Sequence, residues 1–151
     1  MTSTDLNFDT FAKDAHTYIN DLAHHLEHPT EKVRVLQIWR AVMHTIRDRI
    51  PLEVSFKLVS QLPIILKGIY VENWKYQEAP LLTYSTLEEM KTQVKTLQEQ
   101  YGEDEFPWKK PTEEIILNTV QSLKRFLSEA HIDSLTTPLP KEVETFLSDK
   151  L

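Results

Sequence analysis

The stretch Asp21-Leu22-Ala23-His24-His25-Leu26-Glu27-His28-Pro29 gathers side chains that could hold a metal ion. His24, His25 and His28 follow Asp21 at three, four and seven residues, which on a helix places all four on one flank. His24 and His28, at i and i+4, could chelate Zn²⁺, Ni²⁺ or Cu²⁺. A competing reading is structural. Histidines near a helix C-terminus complement its dipole, and a residue before proline, as His28 is, leaves helical geometry.

Other chemistries find less support. The chain has no cysteine, so it can form no disulfide, no thiolate zinc site and no thiol nucleophile. A di-iron bundle needs Glu-x-x-His pairs, and the sequence contains none. With two glycines, Gly68 and Gly102, it lacks the clustered glycines of phosphate loops and nucleophile elbows. No cofactor is expected, and an enzyme is less expected than a binding protein. The candidate interface is the exit Gly68-Ile69-Tyr70-Val71-Glu72-Asn73-Trp74, because Tyr and Trp are enriched among binding anchors. Tyr70, Glu72 and Trp74 are its candidate residues, with Arg49 and Gln61 beside neighbouring helix breakers. The competing reading is that Tyr70 and Trp74 cap the core between the two halves.

The net charge of −6 is unevenly spread. Residues 1–30 carry one Lys against five acids, residues 31–75 eight Lys/Arg against four, and residues 76–151 eight against fourteen. The balance disfavours nucleic acid as a partner. Arg34, Arg40, Arg47 and Arg49 form no single stripe, and no aromatic platform is evident between them. The most apolar run, Leu62 to Val71, contains a Lys and is far shorter than the ~20 residues of a membrane span. The N-terminal residues carry acids where a secretory signal has Lys or Arg. A cytoplasmic protein without membrane contact is expected.

Helices must position these residues. Phe8, Phe11, Ala15, Tyr18, Ile19, Leu22 and Leu26 form one apolar stripe. Val35, Leu36, Trp39, Val42, Met43, Ile46 and Ile50 form the clearest one, with Thr30 as expected N-cap and Pro51 as stop. A short helix follows (Val54, Leu58, Val59, Leu62), then one opened by Pro63 (Leu66, Ile69, Tyr70). Residues 73–84 read as a loop. Ser85 and Glu88 suggest a capping box for a helix with Leu87, Met90, Val94, Leu97 and Tyr101, stopped by Gly102. Thr112 opens a further helix (Ile116, Val120, Leu123, Leu127). A short turn spans Ile132 to Leu135, and a last helix from Pro140 buries Val143, Phe146 and Leu147.

The halves superpose at an offset of 77, pairing Trp39 with Ile116, Met43 with Val120 and Leu62-Pro63 with Leu139-Pro140. The Leu-Pro breaker is the informative anchor, since apolar stripes alone align readily. Upstream, Pro29-Thr30-Glu31 matches Pro111-Thr112-Glu113 at an offset of 82. The expected fold is therefore all-α: a single domain over residues 1–151, a helical bundle of two pseudo-repeated multi-helix units at about 5–75 and 84–151.

Phe8–Phe11 (FDTF), Arg40–Pro51 (RAVMHTIRDRIP), Ser60–Trp74 (SQLPIILKGIYVENW) and a weaker second copy ending TTPLPKEV together resemble a bacterial family, domain of unknown function 2267. The resemblance covers nearly the whole chain and is most specific from Val42 to Trp74. Ile50 stands where the family usually has Leu. It implies a helical fold and a bacterial source, and it implies no activity or catalytic residue. The expected function is a non-catalytic interaction or adaptor module, its partner another protein or a second copy. The rival is a small-molecule- or metal-dependent activity in a cleft between the halves, which would require convergent polar groups there.

Overall fold

A computed structural model describes residues 7–75, 82–102 and 105–151. All regular structure among them is helical: α1 (Asp9–His25), α2 (Lys32–Arg47), α3 (Leu52–Gln61), α4 (Ile64–Val71), α5 (Leu87–Gln100), α6 (Thr112–Ser122), a 3₁₀ turn (Leu123–Arg125), α7 (Glu129–Thr136) and α8 (Lys141–Ser148). Residues 76–81 of the expected 73–84 loop, and residues 1–6 with Asp5, lie outside the described residues.

Helix α2 is the hub. It touches α1, α4, α5 and α6, while α1 also packs on α4 and α6, and α5 on α6. At one end α3 meets α7 and α4, and α7 meets α8. Enclosure by four helices explains why α2 is buried on nearly every side. Beyond the expected stripe, Ile38, Ala41, His44, Thr45 and Arg47 are also buried. One core cluster takes side chains from all eight α-helices, with Trp39, Tyr18 and Tyr70 the largest fully buried.

Several local expectations are corrected. Phe8 and Phe11 are 66% and 43% exposed, because burial in α1 begins only at Ala15. The preceding turns of α1 lie beyond the helices that cover the rest of it. Thr30 does not cap α2; Glu31 holds the N-cap position, since Glu27 at φ 64 reverses the chain earlier than proline alone would. The cap of α5 is Thr86, one residue past Ser85: its Oγ accepts from Glu89 N–H at 3.0 Å, and both hydroxyls donate to the Glu89 carboxylate. Pro63 and Pro140 sit at the extended N-cap position rather than inside the helices they open. Helix α6 tightens to 3₁₀ at Leu123, yet Leu123 and Leu127 stay buried as the stripe requires. Gly102, at φ +82, ends α5 in the left-handed geometry that glycine adopts without a Cβ penalty.

Candidate functional site

The exit of α4 is built around a buried arginine. Arg47, on the last turn of α2, donates through one terminal nitrogen to the carbonyl oxygens of Tyr70 (2.7 Å) and Glu72 (2.8 Å). Helix α4 thus has its C-terminal carbonyls, which lack intrahelical partners, satisfied by a cation from another helix. The same guanidinium is paired with Asp48, Nε to Oδ1 at 2.8 Å. The ring of Trp74 lies under it at 5.7 Å and meets Tyr70 edge-on at 5.7 Å.

Two turns earlier, Arg40 stacks 3.9 Å over the Tyr101 ring and pairs with Glu72 at 3.2 Å. Between the two arginines lies His44. Its Nε2 is 2.7 Å from the Ile69 carbonyl oxygen, which only accepts, so Nε2 carries the proton; Nδ1 then accepts from the Tyr101 hydroxyl at 2.8 Å. Burial, reinforced by the nearby Arg47 charge, pulls the His44 pKa down to about 4. His44 is therefore neutral near pH 7 with both nitrogens engaged, and it has no free nitrogen for proton transfer to a substrate.

A second polar cluster lines a cleft of about 260 Å³ between α1 and α6. Trp39 Nε1 donates to the Tyr18 hydroxyl at 2.9 Å, Tyr18 donates to Ser122 Oγ, and Ser122 Oγ donates to the Thr119 carbonyl at 2.5 Å. Burial pushes the Tyr18 pKa up to about 12, which keeps it a neutral donor. Among the described residues Ser122 Oγ has no hydrogen bond to a basic side chain; its proton is held by a backbone carbonyl. At the rim Arg125 pairs with Asp21 at 2.6 Å.

A family model for uncharacterised conserved proteins, domain of unknown function 2267, matches residues 15–146. The chain belongs to the domain of unknown function 2267 family. The match begins at Ala15, where burial in α1 begins, and ends inside α8. No curated protein matches the chain.

Within this family member, the residues expected at an interface divide. Tyr70 is fully buried, its hydroxyl 2.7 Å from Ser55 Oγ, and burial raises its pKa. Trp74 is partly buried and also meets the exposed Phe56 at 5.8 Å. Glu72 joins them through Arg40 and Arg47. Arg49 faces elsewhere: its Nε donates to the Tyr84 carbonyl at 3.0 Å and its guanidinium lies 5.7 Å from that ring. Gln61, the last residue of α3, is exposed. His24 and His28 do not share a helical register, because α1 ends at His25. His24 is exposed, whereas His28 is buried against Phe106 and Trp108 and accepts from Lys109 N–H through Nε2 at 3.1 Å. Among the described residues, no group of three or more His, Asp or Glu side chains is placed to hold a metal ion.

Sequence reasoning did not single out His44, Tyr101 or the Tyr18–Ser122 pair. It also saw no aromatic platform near the arginines. Four of them face rings supplied by other segments: Arg34 with Phe106, Arg40 with Tyr101, Arg47 with Trp74 and Arg49 with Tyr84. The available signal was in α2 itself, where Ile38, Ala41 and Thr45 fall opposite the apolar stripe and mark a helix covered on both faces.

Proposed function

We propose that the chain is a non-catalytic interaction module of two pseudo-repeated helical units, and that its docking face is the outward side of α4. The repeat is supported by spacing and contact. Helices α3 and α7 begin 77 residues apart, and α4 and α8 correspond at that offset at both ends. Exchanging the two units turns the α1–α6 contact into α5–α2, while α2–α6 and α3–α7 map onto themselves, as a pseudo-two-fold axis requires.

The comparison of α4 with α8 carries the functional reading. Their inward residues agree: Leu66 and Tyr70 are buried in α4, Val143 and Leu147 at the same positions in α8. Their outward residues differ. Lys141, Glu142, Thr145 and Ser148 of α8 give an ordinary hydrated surface, whereas α4 exposes Ile64 (57%), Ile65 (39%), Gly68 and Val71 (43%). The packing of α4 onto the core does not call for apolar residues there. At Gly68 a Cβ would meet nothing within 4 Å, so no internal contact demands glycine either. A bare backbone flanked by Ile64 and Val71 suits the close crossing of an apolar helix from another protein. A photo-crosslinker at position 68 should trap one discrete partner in native cells, and the same group at Thr145 should not. Equal trapping at both positions removes the reading, and a self-adduct identifies the partner as a second copy. A bacterial cytoplasm is the setting supposed, on the strength of the resemblance, and cell fractionation tests it.

A second reading, small-molecule binding between the units, is favoured by one observation. The α1–α6 cleft has an apolar floor and polar groups from both helices converging on it.

A further inference from the structure

The cleft between α1 and α6 is lined by amide, imidazole, hydroxyl and carboxylate groups whose free atoms follow from the contacts they already make. Asn118 Nδ2 donates to the Glu114 carbonyl at 2.7 Å, and Gln121 Nε2 to the Lys150 carbonyl at 3.2 Å. His25 carries its proton on Nδ1, because the atom 2.8 Å away is the Asp21 carbonyl oxygen. The Ser122 and Tyr18 hydroxyls are spent on Thr119 and on each other. Since a carbonyl can only accept, the orientation of each amide and the tautomer of His25 follow from these contacts.

Among the described residues, the acceptors left without a partner are Asn118 Oδ1, Gln121 Oε1, Nε2 of a neutral His25, the second oxygen of Asp21 and a lone pair on Ser122, against one N–H on each amide and the remaining N–H groups of Arg125. Arg125 is the one Lys or Arg in the lining, and it is held on Asp21 Oδ2. Leu22 and the Tyr18 ring provide apolar floor. The net charge of −6 on the chain also favours a cation over an anion. The Lys150 ammonium lies over the Phe146 ring.

We propose that this cleft binds a small aliphatic amine or diamine, its primary ammonium donating to Asp21 and to the amide oxygens of Asn118 and Gln121, its methylenes lying on Leu22 and Tyr18. An ammonium brings three donors and no acceptor, and so matches the acceptor atoms of Asp21, Asn118 and Gln121. The volume exceeds what a bare metal ion fills and accommodates a short carbon chain. The proposal rests on the reading of the cleft as a ligand site and is independent of the α4 face.

The test is a titration of the full chain with diaminobutane at low ionic strength, followed by calorimetry and by the side-chain amide NMR signals of Asn118 and Gln121. Saturable binding that moves both signals is expected, weakened about tenfold or more by Asp21→Asn and tightened by Gln121→Glu. Asp21 is half-exposed, so its variant should fold, and Asp133→Asn on α7 serves as a control with unchanged binding. The remaining amide N–H groups and Arg125 define the competing ligand, a carboxylate. Binding of succinate in place of the diamine overturns the ammonium proposal but keeps the ligand site. Binding of neither, or diamine binding indifferent to Asp21→Asn, overturns both.

Discussion

His44 on α2 accepts a hydrogen bond of 2.8 Å from the Tyr101 hydroxyl at the end of α5, while its other ring nitrogen donates to the Ile69 carbonyl of α4. One neutral imidazole therefore ties three helices, and protonation would destroy the acceptor. The folded pKa is about 4 against an ordinary 6.5. Below pH 6.5 the unfolded chain takes up a proton that the folded chain refuses. The stability from this group is thus complete above about pH 6.5 and is lost as pH falls towards 4, by about 3 kcal/mol in all. Urea midpoints followed from pH 7.5 to 4 should show a slope in the wild type that is reduced in His44→Gln. Parallel curves for the two proteins would refute the assignment.

Arg47 should be the most costly charged residue to truncate. Its side chain is buried and holds the Tyr70 and Glu72 carbonyls together with Asp48. Arg47→Met removes the donor and leaves two carbonyls and a carboxylate uncompensated, a loss of about 3–5 kcal/mol. Arg47→Lys cannot reproduce the forked geometry and should recover only part of it. Chemical denaturation of both variants, with Arg34→Met for comparison, gives the ranking. A destabilisation below about 1 kcal/mol for Arg47→Met would contradict the role.

The difference between what the sequence revealed and what it hid follows from the range of the interactions. Stripes and breakers act over a few residues. Pro51, Pro63 and Pro140 therefore mark the starts of α3, α4 and α8, and the inward residues of α2 are read correctly. The role of Arg47 depends on carbonyls 23 and 25 residues away, and that of His44 on a hydroxyl 57 residues away. Periodicity counts both residues as polar and assigns them to solvent. Tyr70 and Trp74 were legible as residues of consequence, but their division into a core residue and a partly covered one depends on how deeply Arg47 is seated. The His24–His28 pair shows the reverse error of scale: a local spacing rule applied across Glu27, where the backbone has already left the helix.

The two glycines should respond oppositely to the same substitution. Gly68 sits in the middle of α4 with open space where a Cβ would project, so Gly68→Ala should stabilise the protein by about 1 kcal/mol through helix propensity. Gly102 has equal space but φ +82, so Gly102→Ala should cost about 1 kcal/mol through backbone strain alone. Thermal unfolding of the pair measures both. A stabilised Gly68→Ala variant that also loses its crosslinked partner would mean that glycine is kept at this position for docking, at the expense of stability.

The tryptophans provide a graded test of core against surface. Trp39 is fully buried and donates to Tyr18, so Trp39→Ala should cost about 4 kcal/mol. Trp74 is partly covered, resting on Tyr70, Phe56 and Arg47, so Trp74→Ala should cost about 2 kcal/mol, or roughly 4–8 °C in Tm. That loss is small enough to leave a folded protein, and partner trapping at position 68 can then be repeated on it. Trapping that survives in Trp74→Ala confines the docking face to Ile64, Ile65, Gly68 and Val71. Trapping that disappears, with helical circular dichroism unchanged, extends the face across Trp74 to Phe56. Loss of the folded signal altogether would place Trp74 in the core with Tyr70, and the stacking on Arg47 would then be part of what closes α4 onto α2.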